Sequence, residues 1–263
     1  RELFDNAGLK PNDISTLEDL TKIPTTSKKV LLEESNNIQS KHVEEKLYYS
    51  ETSGSTGKPL IFYRNQDWDA WHNASVMRGL SWFDIKPWDR NGYLWGYNLS
   101  TTQAFKTKIL DYLQNRFRLF SYSDNEIELF CKQLENTKYI NGYSSMIYEL
   151  AKYVNRHEEL KRKINIGFIK GTSEKIYDSY QTEAKQAFGK KIVSEYGAAE
   201  AGIIAFECPH ENMHINMETV IVEEINGQIL VTNLVSTSFP IIRYELGDYI
   251  KLDKQSTCAC GRK

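Results

Sequence analysis

Apolar residues recur along the chain with the spacing of secondary structure, and the elements they predict alternate. Runs of β-branched and aromatic residues predict strands, whereas apolar positions three to four residues apart predict helices. Strands are predicted within KPLIFYRN, RNGYLWGY, KYINGY, INIGFIKG and KKIVSEYG, and helices within SKKVLLEESNNI, QDWDAWHNASVMRGLSWF, SDNEIELFCKQLENT, SSMIYELAKYVNRH and EKIYDSYQTEAKQAFG. Such alternation is typical of βαβ units, so we expect a mainly parallel sheet covered by helices.

The pattern changes from Met213 onward, where two β-branched runs flank the dipeptide Asn226-Gly227. Asn-Gly is favoured in the two-residue turns of β-hairpins, because both positions require a positive φ. We therefore expect an α/β region over residues 1–212 and a smaller, β-rich subdomain over residues 213–263.

Composition and charge exclude several classes of protein. Hydrophobic residues make up 40% of the 263 residues and aromatic residues 12%, which supports a substantial core and argues against wholesale disorder. The 33 basic and 35 acidic side chains leave a net charge of −2, which gives no general attraction to nucleic acid. No apolar run reaches the roughly 18 residues of a membrane span, so membrane insertion is not predicted. Four cysteines are too few for a disulfide scaffold, which favours a cytoplasmic protein. The sequence does not indicate the oligomeric state.

Residues 50–59, SETSGSTGKP, concentrate hydroxyl side chains and glycines around Lys58. Glycines let backbone N–H groups converge, hydroxyls donate to phosphate oxygens, and a lysine adds positive charge, so the segment suits a phosphate cradle. It is not a Walker A loop, because Gly54 and Gly57 are too close together and Pro59 follows the lysine. A flexible Ser/Gly turn is the alternative on composition alone. Strand-like residues on both sides favour the cradle over a linker.

Two short clusters towards the C-terminus contain residues of the types that bind zinc. ECPHENMHIN offers Cys208, His210 and His214, and CACGR offers Cys258 and Cys260. Structural zinc takes four thiolate or imidazole ligands, usually from two such clusters. The spacing is not that of a standard zinc finger, so a set of inert thiols with surface histidines stays the alternative.

Several segments, in the same order along the chain, carry a resemblance to a known family. SETSGSTGKPLIFY, EYGAAEAG and PIIRYELGD resemble the phosphate-binding, Tyr-Gly-x-Thr-Glu and Tyr-Arg-x-Gly-Asp motifs of the adenylate-forming (acyl-CoA synthetase-like) superfamily. LEDLTKIPTTSKKVLLEE, INGYSSMIYELAKY and KGTSEKI are similar to its phenylacetate-CoA ligase and CapK-type branch. The resemblance implies an N-terminal α/β domain with helix-covered, mainly parallel sheets, a smaller β-rich region, and a mobile C-terminal domain that would lie beyond Lys263.

The resemblance also implies a site for ATP and Mg²⁺. Lys58 would face the outer phosphates and Glu200 would hold Mg²⁺, and these two are the implied catalytic residues. The alternatives are structural: a core aromatic for Tyr196, a helix N-terminal acid for Glu200 and a turn residue for Asp248. The implied nucleotide contacts are Ser53, Gly54, Ser55, Thr56, Gly57, Lys58, Gly171, Glu174, Tyr196 against adenine, Gly197, Ala198, Arg243, and Asp248 on the ribose hydroxyls.

A similar Cys…His…Cys-x-Cys arrangement is found in the same branch. It implies that a structural zinc ion is held by Cys208, His214, Cys258 and Cys260, with His210 as a reserve ligand. The family's acid pocket would be lined by Tyr93, Trp95, Tyr97, Gly142, Gly171 and Ala198, and the sequence does not indicate which acid it accepts.

Two positions depart from the family pattern. Ala199 replaces a Thr or Ser that would contact the α-phosphate, and Glu245 replaces an Arg. The family's catalytic lysine belongs to the mobile domain, so this chain alone is expected to be poorly active.

The implied activity is that of an acid-CoA ligase-like enzyme, which uses ATP to convert a small-molecule carboxylic acid to an acyl-adenylate. Transfer to CoA or another acceptor would follow in the full-length parent. Two alternatives stay open: a catalytically weakened nucleotide-binding protein of a polysaccharide-biosynthesis cluster, and a zinc-stapled interaction protein.

Overall fold

The predicted alternation of strands and helices is present in the computed structural model, which describes residues 2–41, 46–52, 58–95, 101–120, 123–253 and 257–262. Within these residues the strands are β1 (Tyr48–Glu51), β2 (Ile61–Arg64), β3 (Asn91–Leu94), β4 (Arg116–Arg118), β5 (Tyr139–Tyr143), β6 (Phe168–Thr172), β7 (Ile192–Ala198), β8 (Gly202–Glu207), β9 (Met213–Ile215), β10 (Val220–Ile225), β11 (Gln228–Asn233) and β12 (Tyr244–Tyr249). The α-helices are α1 (Glu2–Asn6), α2 (Lys28–Glu33), α3 (Ser35–Ile38), α4 (Gln66–Ser81), α5 (Thr101–Leu113), α6 (Asp124–Leu134), α7 (Ser144–Asn155), α8 (Glu158–Lys163) and α9 (Asp178–Phe188).

Seven strands form the largest sheet, in the order β4-β3-β5-β6-β7-β8-β9. β3 pairs in parallel with β4 and β5, and β5, β6 and β7 continue the parallel arrangement. In this register Gly171 of β6 lies between Gly142 of β5 and Ser194 of β7. Parallel neighbours need crossover connections, and these contain α5, α6, α7, α8 and α9. The mainly parallel, helix-covered sheet confirms the predicted fold class.

Apolar side chains cover both faces of the parallel strands. On one face Ile140 and Ile169 belong to a core that includes buried residues of α6, α7 and α9. On the other face Tyr139 and Phe168 pack in a second core with Leu80 of α4. Because successive strand residues point to opposite faces, adjacent residues such as Tyr139 and Ile140 belong to different cores. Burial on both faces explains why these strands read as nearly continuous apolar runs.

The chain divides into two compact units. The first consists of Arg1–Ser75, Ala198–Ile204 and Ile215–Lys263, and the second of Val76–Gly197 and Ala205–His214. The N-terminal residues therefore group with the C-terminal strands. The division into functional domains at residues 212 and 213 stays a prediction.

The first unit contains two small antiparallel sheets. β1 pairs with β2, and β10, β11 and β12 form a three-stranded sheet in that order. The predicted hairpin turn joins β10 to β11, with Asn226 at φ 53° and Gly227 at φ 80°. This unit has its own apolar core, which includes Leu60, Phe62 and Trp68.

Two helices begin with a serine N-cap. Ser123 Oγ accepts a hydrogen bond from Glu126 N (3.4 Å) at the start of α6. Ser27 Oγ accepts one from Val30 N (3.4 Å) at the start of α2. Both serines satisfy N–H groups that have no partner within the helix.

Three elements differ from the prediction. The helix predicted in SKKVLLEESNNI is interrupted at Glu34 (φ −105°, ψ 12°), whose carboxylate accepts from Asn37 Nδ2 (2.7 Å). The helix predicted from Glu174 begins instead at Asp178, because the Glu174 carboxylate accepts from Ser145 N. The sequence pattern does not indicate α5, in which large apolar side chains such as Tyr112 are exposed.

No helix in the described part of the chain is long and apolar enough to span a bilayer.

Candidate functional site

The hydroxyl-rich loop connects β1 to β2, and Thr52 closes its base. Thr52 N donates to Leu60 O (3.0 Å), and Thr52 Oγ1 accepts from Leu60 N (2.9 Å). Glu51 pairs with Ile61 directly beyond this closure. The loop therefore leaves and re-enters a single antiparallel hairpin, and it does not link two separate elements of the core. Ser53, Gly54, Ser55, Thr56 and Gly57 lie outside the described residues, and Lys58 at the loop's end is exposed.

The carboxyl end of β6 carries Gly171, which is closely packed. A Cβ built on Gly171 would lie 2.6 Å from Ile192 Cγ2 and 2.8 Å from Ser144 Oγ, so a larger residue would force a shift. Glu174 follows three residues later, and its Oε2 accepts from Ser145 N (2.8 Å) in the first turn of α7. A carboxylate at this position also complements the helix dipole. Glu174 thus has a structural role here, and its contact with nucleotide stays a prediction.

The carboxyl end of β7 carries Tyr196, Gly197 and Ala198, all partly exposed. β7 is the parallel neighbour of β6, with Glu195 opposite Thr172. The carboxyl ends of parallel strands are the usual position of ligand sites in α/β sheets. Two of the predicted nucleotide segments therefore meet at the expected edge of the sheet.

Glu200 follows in the turn between β7 and β8, and its side chain is buried with 5% exposed. The Tyr244 hydroxyl donates to Glu200 Oε1 (2.8 Å). Burial raises the pKa of Tyr244 well above its usual value, and the neighbouring Glu200 charge raises it further. The phenol therefore stays protonated and acts as the donor to the Glu200 carboxylate. Tyr244 lies in a predicted motif, but no local sequence pattern pairs it with Glu200.

Arg243 and Asp248 lie on either side of the start of β12 and have different surroundings. The Arg243 guanidinium is buried and donates through Nε and Nη2 to the Glu223 carboxylate (3.0 and 3.1 Å). It also donates to the backbone carbonyls of Thr21 and Ile23. Asp248 is exposed within β12. In this structure Arg243 is a structural residue, and the predicted roles of both residues toward nucleotide stay predictions.

Aromatic residues lie at the carboxyl ends of β3 and β5. The rings of Trp95 and Tyr143 stack with centroids 4.3 Å apart, and Tyr93 stacks on Trp95 at 6.1 Å. Tyr97 lies outside the described residues. Tyr143 was not among the predicted pocket residues. Tyr143 lies at the end of β5, the strand next to β3, and this position would have identified it as a pocket residue.

A buried ion pair joins the two central strands of this edge. Lys170 Nζ of β6 lies 2.6 Å from Glu195 Oε2 of β7, and both side chains are buried. Neither residue is among the predicted site residues. A lysine inside the apolar run INIGFIKG was the available signal, because buried charges are normally paired.

The predicted cysteine and histidine ligands are brought together. The ligand atoms of Cys208, His214, Cys258 and Cys260 all lie within 4.8 Å of one another. Cys208 is 2% exposed and His214 is 4% exposed. His210, the reserve ligand, is exposed and is not in this group, although its N–H donates to Cys208 Sγ (3.4 Å).

Both donor sets fit the metals predicted for them. Zinc–thiolate bonds of about 2.3 Å in a tetrahedron place ligand atoms roughly 3.8 Å apart, and the Cys/His group is nearly this compact. Magnesium takes one or two carboxylates together with phosphate oxygens. Within the described residues no side chain or backbone group donates to Glu200 Oε2, so that oxygen is available to a cation. Cys131, by contrast, is a core thiol whose pKa burial raises to about 12.

No protein family has a profile that matches the chain. Among curated proteins, it is 23% identical over 274 residues to Protein CapK of Staphylococcus aureus, covering 94% of this chain and 58% of CapK. It is 26% identical over 285 residues to phenylacetate-coenzyme A ligase of Escherichia coli (strain K12), covering 96% of this chain and 62% of that enzyme. The chain thus spans about three fifths of the length of these relatives.

Solved structures share the fold. An open conformation of 2-hydroxyisobutyryl-CoA ligase in complex with 2-HIB-AMP and CoA gives a TM-score of 0.81 at 21% identity, covering 100% of this chain and 66% of that chain. The same ligase in its thioesterification state gives a TM-score of 0.77 and also covers 100% of this chain.

Proposed function

We propose a function on the premise that the chain belongs to the adenylate-forming superfamily, in the branch that holds the phenylacetate-CoA ligases and CapK. The protein activates a small-molecule carboxylic acid with ATP. A carboxylate oxygen attacks the α-phosphorus, the bond to pyrophosphate breaks, and an acyl-adenylate forms. The acyl group then passes to CoA or another acceptor, with loss of AMP. The chain contributes the nucleotide- and acid-binding part of this activity.

One observation carries the proposal: sequence similarity to a phenylacetate-CoA ligase extends over 96% of this chain. In support, Gly171 and Tyr196 lie at the carboxyl ends of neighbouring parallel strands, as expected for nucleotide-binding segments. The 2-hydroxyisobutyryl-CoA ligase with the same fold was solved with an acyl-adenylate and CoA. A ligand of the same class is therefore proposed here.

In the proposed site, the chain mainly positions charge. The loop that Thr52 closes holds the outer phosphates of ATP, and Lys58 adds a positive charge at its exposed end. Glu200 offers one carboxylate oxygen to the magnesium ion of Mg·ATP. Tyr196 lies against adenine, and Asp248 accepts from the ribose hydroxyls. Phosphoryl chemistry of this kind depends on alignment and charge neutralisation.

The test begins with ATP and AMP binding, measured by calorimetry with MgCl2 present. The variant Lys58→Ala should lose affinity for ATP about tenfold and affinity for AMP much less, because Lys58 faces phosphates that AMP lacks. Lys190→Ala, at another exposed lysine, is the matched control and should bind both nucleotides as the wild type does. Equal loss for ATP and AMP in Lys58→Ala would show that the loop does not hold the outer phosphates.

Activity is then measured as exchange of labelled pyrophosphate into ATP with a panel of carboxylic acids. Acid-dependent exchange supports the ligase. ATP binding without exchange for any acid favours the second candidate, a catalytically weakened nucleotide-binding protein. Ala199 is the observation behind that candidate, since it is exposed in the turn before Glu200 and offers no hydroxyl.

We further propose that Cys208, His214, Cys258 and Cys260 hold one structural zinc ion. Four ligands of suitable softness leave no open position for water, which separates this site from a catalytic one. Binding of the metal adds to folding stability, because the unfolded chain has no preformed site.

Elemental analysis after purification without added metal should find one zinc per chain, and chelation should lower the melting temperature. Cys260→Ser should lose zinc, while Cys131→Ala, at a core thiol outside the group, should retain it. Substoichiometric zinc with an unchanged melting curve after chelation would overturn this proposal.

A further inference from the structure

Glu200 lies in a short turn that does not by itself fix the direction of the side chain. Residues 199–201 connect β7 to β8, and Ala201 N donates to Ala198 O (3.2 Å) within the turn. Gly202 follows at φ 81°, a conformation that other residues rarely adopt. The carboxylate is nevertheless buried, so groups outside the turn must hold it.

Tyr244 is the first of these groups. Its hydroxyl donates to Glu200 Oε1 (2.8 Å), and its side chain is 1% exposed. Its backbone is fixed on both sides, since Tyr244 pairs with Val231 in β11 and forms a parallel bridge with Thr26. The donor is therefore held in place by β11 on one side and by the bridge to Thr26 on the other. It occupies one carboxylate oxygen and leaves the other to a ligand.

Asn233, at the end of β11, holds the backbone of the same turn. Its Nδ2 donates to Ala201 O (3.0 Å). Its Oδ1 accepts from Val235 N (2.8 Å) and Ser236 N (3.0 Å), which fixes the orientation of the amide. Asn233 is buried, and every one of these contacts lies within the first unit.

We infer that Tyr244 and Asn233 are positioning residues for the magnesium-binding carboxylate of Glu200. Asn233 fixes the turn, and Tyr244 holds one carboxylate oxygen so that the second is presented in a single orientation to the metal. This inference rests on the proposed function, because it requires that Glu200 binds magnesium with ATP. A preorganised ligand binds more tightly because less freedom is lost on binding.

The test measures the dissociation constant of ATP by calorimetry, with MgCl2 and with EDTA, for the wild type and four variants. The metal effect is the ratio of the two constants. Glu200→Gln should abolish the metal effect. Tyr244→Phe should reduce it about tenfold, and Asn233→Asp should also reduce it, while ATP affinity in EDTA stays unchanged. Tyr139→Phe removes a buried phenol hydroxyl from the second unit and should leave the metal effect intact.

Far-UV circular dichroism and melting curves establish whether each variant is folded. If Tyr244→Phe does not fold, the inference is tested with Asn233→Asp. A full metal effect in the folded positioning variants, together with its loss in Glu200→Gln, would overturn the inference and leave the proposed function standing. Equal loss of ATP affinity with and without magnesium would also overturn it, because that pattern indicates a merely structural role. If Glu200→Gln retains the full metal effect, the metal role of Glu200 in the proposed function fails and the inference fails with it.

Discussion

The two units are stabilised by different kinds of contact. In the second unit, the largest core joins the parallel strands to α6, α7 and α9 through side chains such as Leu150, Ile140 and Phe130, each at most 2% exposed. These contacts join elements of neighbouring βαβ units, such as α7 to α9 and β5 to β6. The hydrophobic effect, acting on locally connected βαβ units, accounts for this unit.

The first unit has an apolar core of its own and, in addition, buried polar contacts between residues far apart in sequence. Arg243 donates to the carbonyls of Thr21 and Ile23 as well as to Glu223. Ser238 Oγ donates to Tyr63 O (2.8 Å), and the backbone of Ser238 accepts from the first segment of the chain. Buried polar groups contribute little when paired and cost much when a partner is lost. The first unit should therefore tolerate polar substitutions poorly.

The largest expected effect is at Arg243. Replacing it with methionine removes the partner of Glu223 and two donors to backbone carbonyls, so we expect the free energy of unfolding to fall by about 3–5 kcal/mol. Urea denaturation followed by circular dichroism measures the change. Lys152→Met is the control, because Lys152 pairs with Glu149 on an exposed surface, where a pair contributes at most about 1 kcal/mol. Similar losses for the two variants would contradict the polar character of the first unit.

The second unit should respond most strongly to loss of apolar volume. Leu150 of α7 is 0% exposed, and Leu150→Ala is expected to lower the free energy of unfolding by about 2–5 kcal/mol, because a cavity remains in the core. The same denaturation experiment applies. Leu129→Ala on α6, where the side chain is 48% exposed, should change stability much less. A small loss at Leu150 would show that the core relaxes around the cavity.

The same contrast explains which features the sequence could predict. The strands and helices of the second unit follow from apolar spacing, since each amphipathic element must bury its own stripe. The Asn226-Gly227 turn depends on two adjacent residues, so it could also be predicted from the sequence. Helix α5 was missed because its apolar residues, such as Phe105 and Tyr112, are exposed and form no inward stripe.

The candidate site was predictable by residue type more than by geometry. The two cysteine and histidine clusters could be predicted because few residue types bind zinc, and the resemblance to the family implied the set of four. The contact of Glu200 with Tyr244 spans 44 positions, and no local pattern encodes such a pairing. The pairing of Arg243 with Glu223 could not be predicted either. A basic residue beside a motif is interpreted as a ligand contact until its buried partner is known.

The smallest expected effect on the free energy of unfolding is at a buried ion pair of the second unit. Lys170 and Glu195 form a buried ion pair in the second unit, with Nζ and Oε2 2.6 Å apart, and neither has another hydrogen-bond partner within the described residues. Replacing both with apolar residues of similar size, Lys170→Met and Glu195→Leu together, removes the desolvation cost along with the attraction. Exchanges of this kind are often neutral or stabilising, so we expect the double variant to lose no more than about 1 kcal/mol. Lys170→Met alone leaves the Glu195 carboxylate buried without its partner and should lower the free energy of unfolding by about 3–5 kcal/mol. The difference between the single and the double variant in denaturation measures the coupling of the two side chains. A double variant as unstable as the single one would mean that the pair itself stabilises the parallel sheet, and the two units would then differ in the number of buried polar contacts and not in their kind.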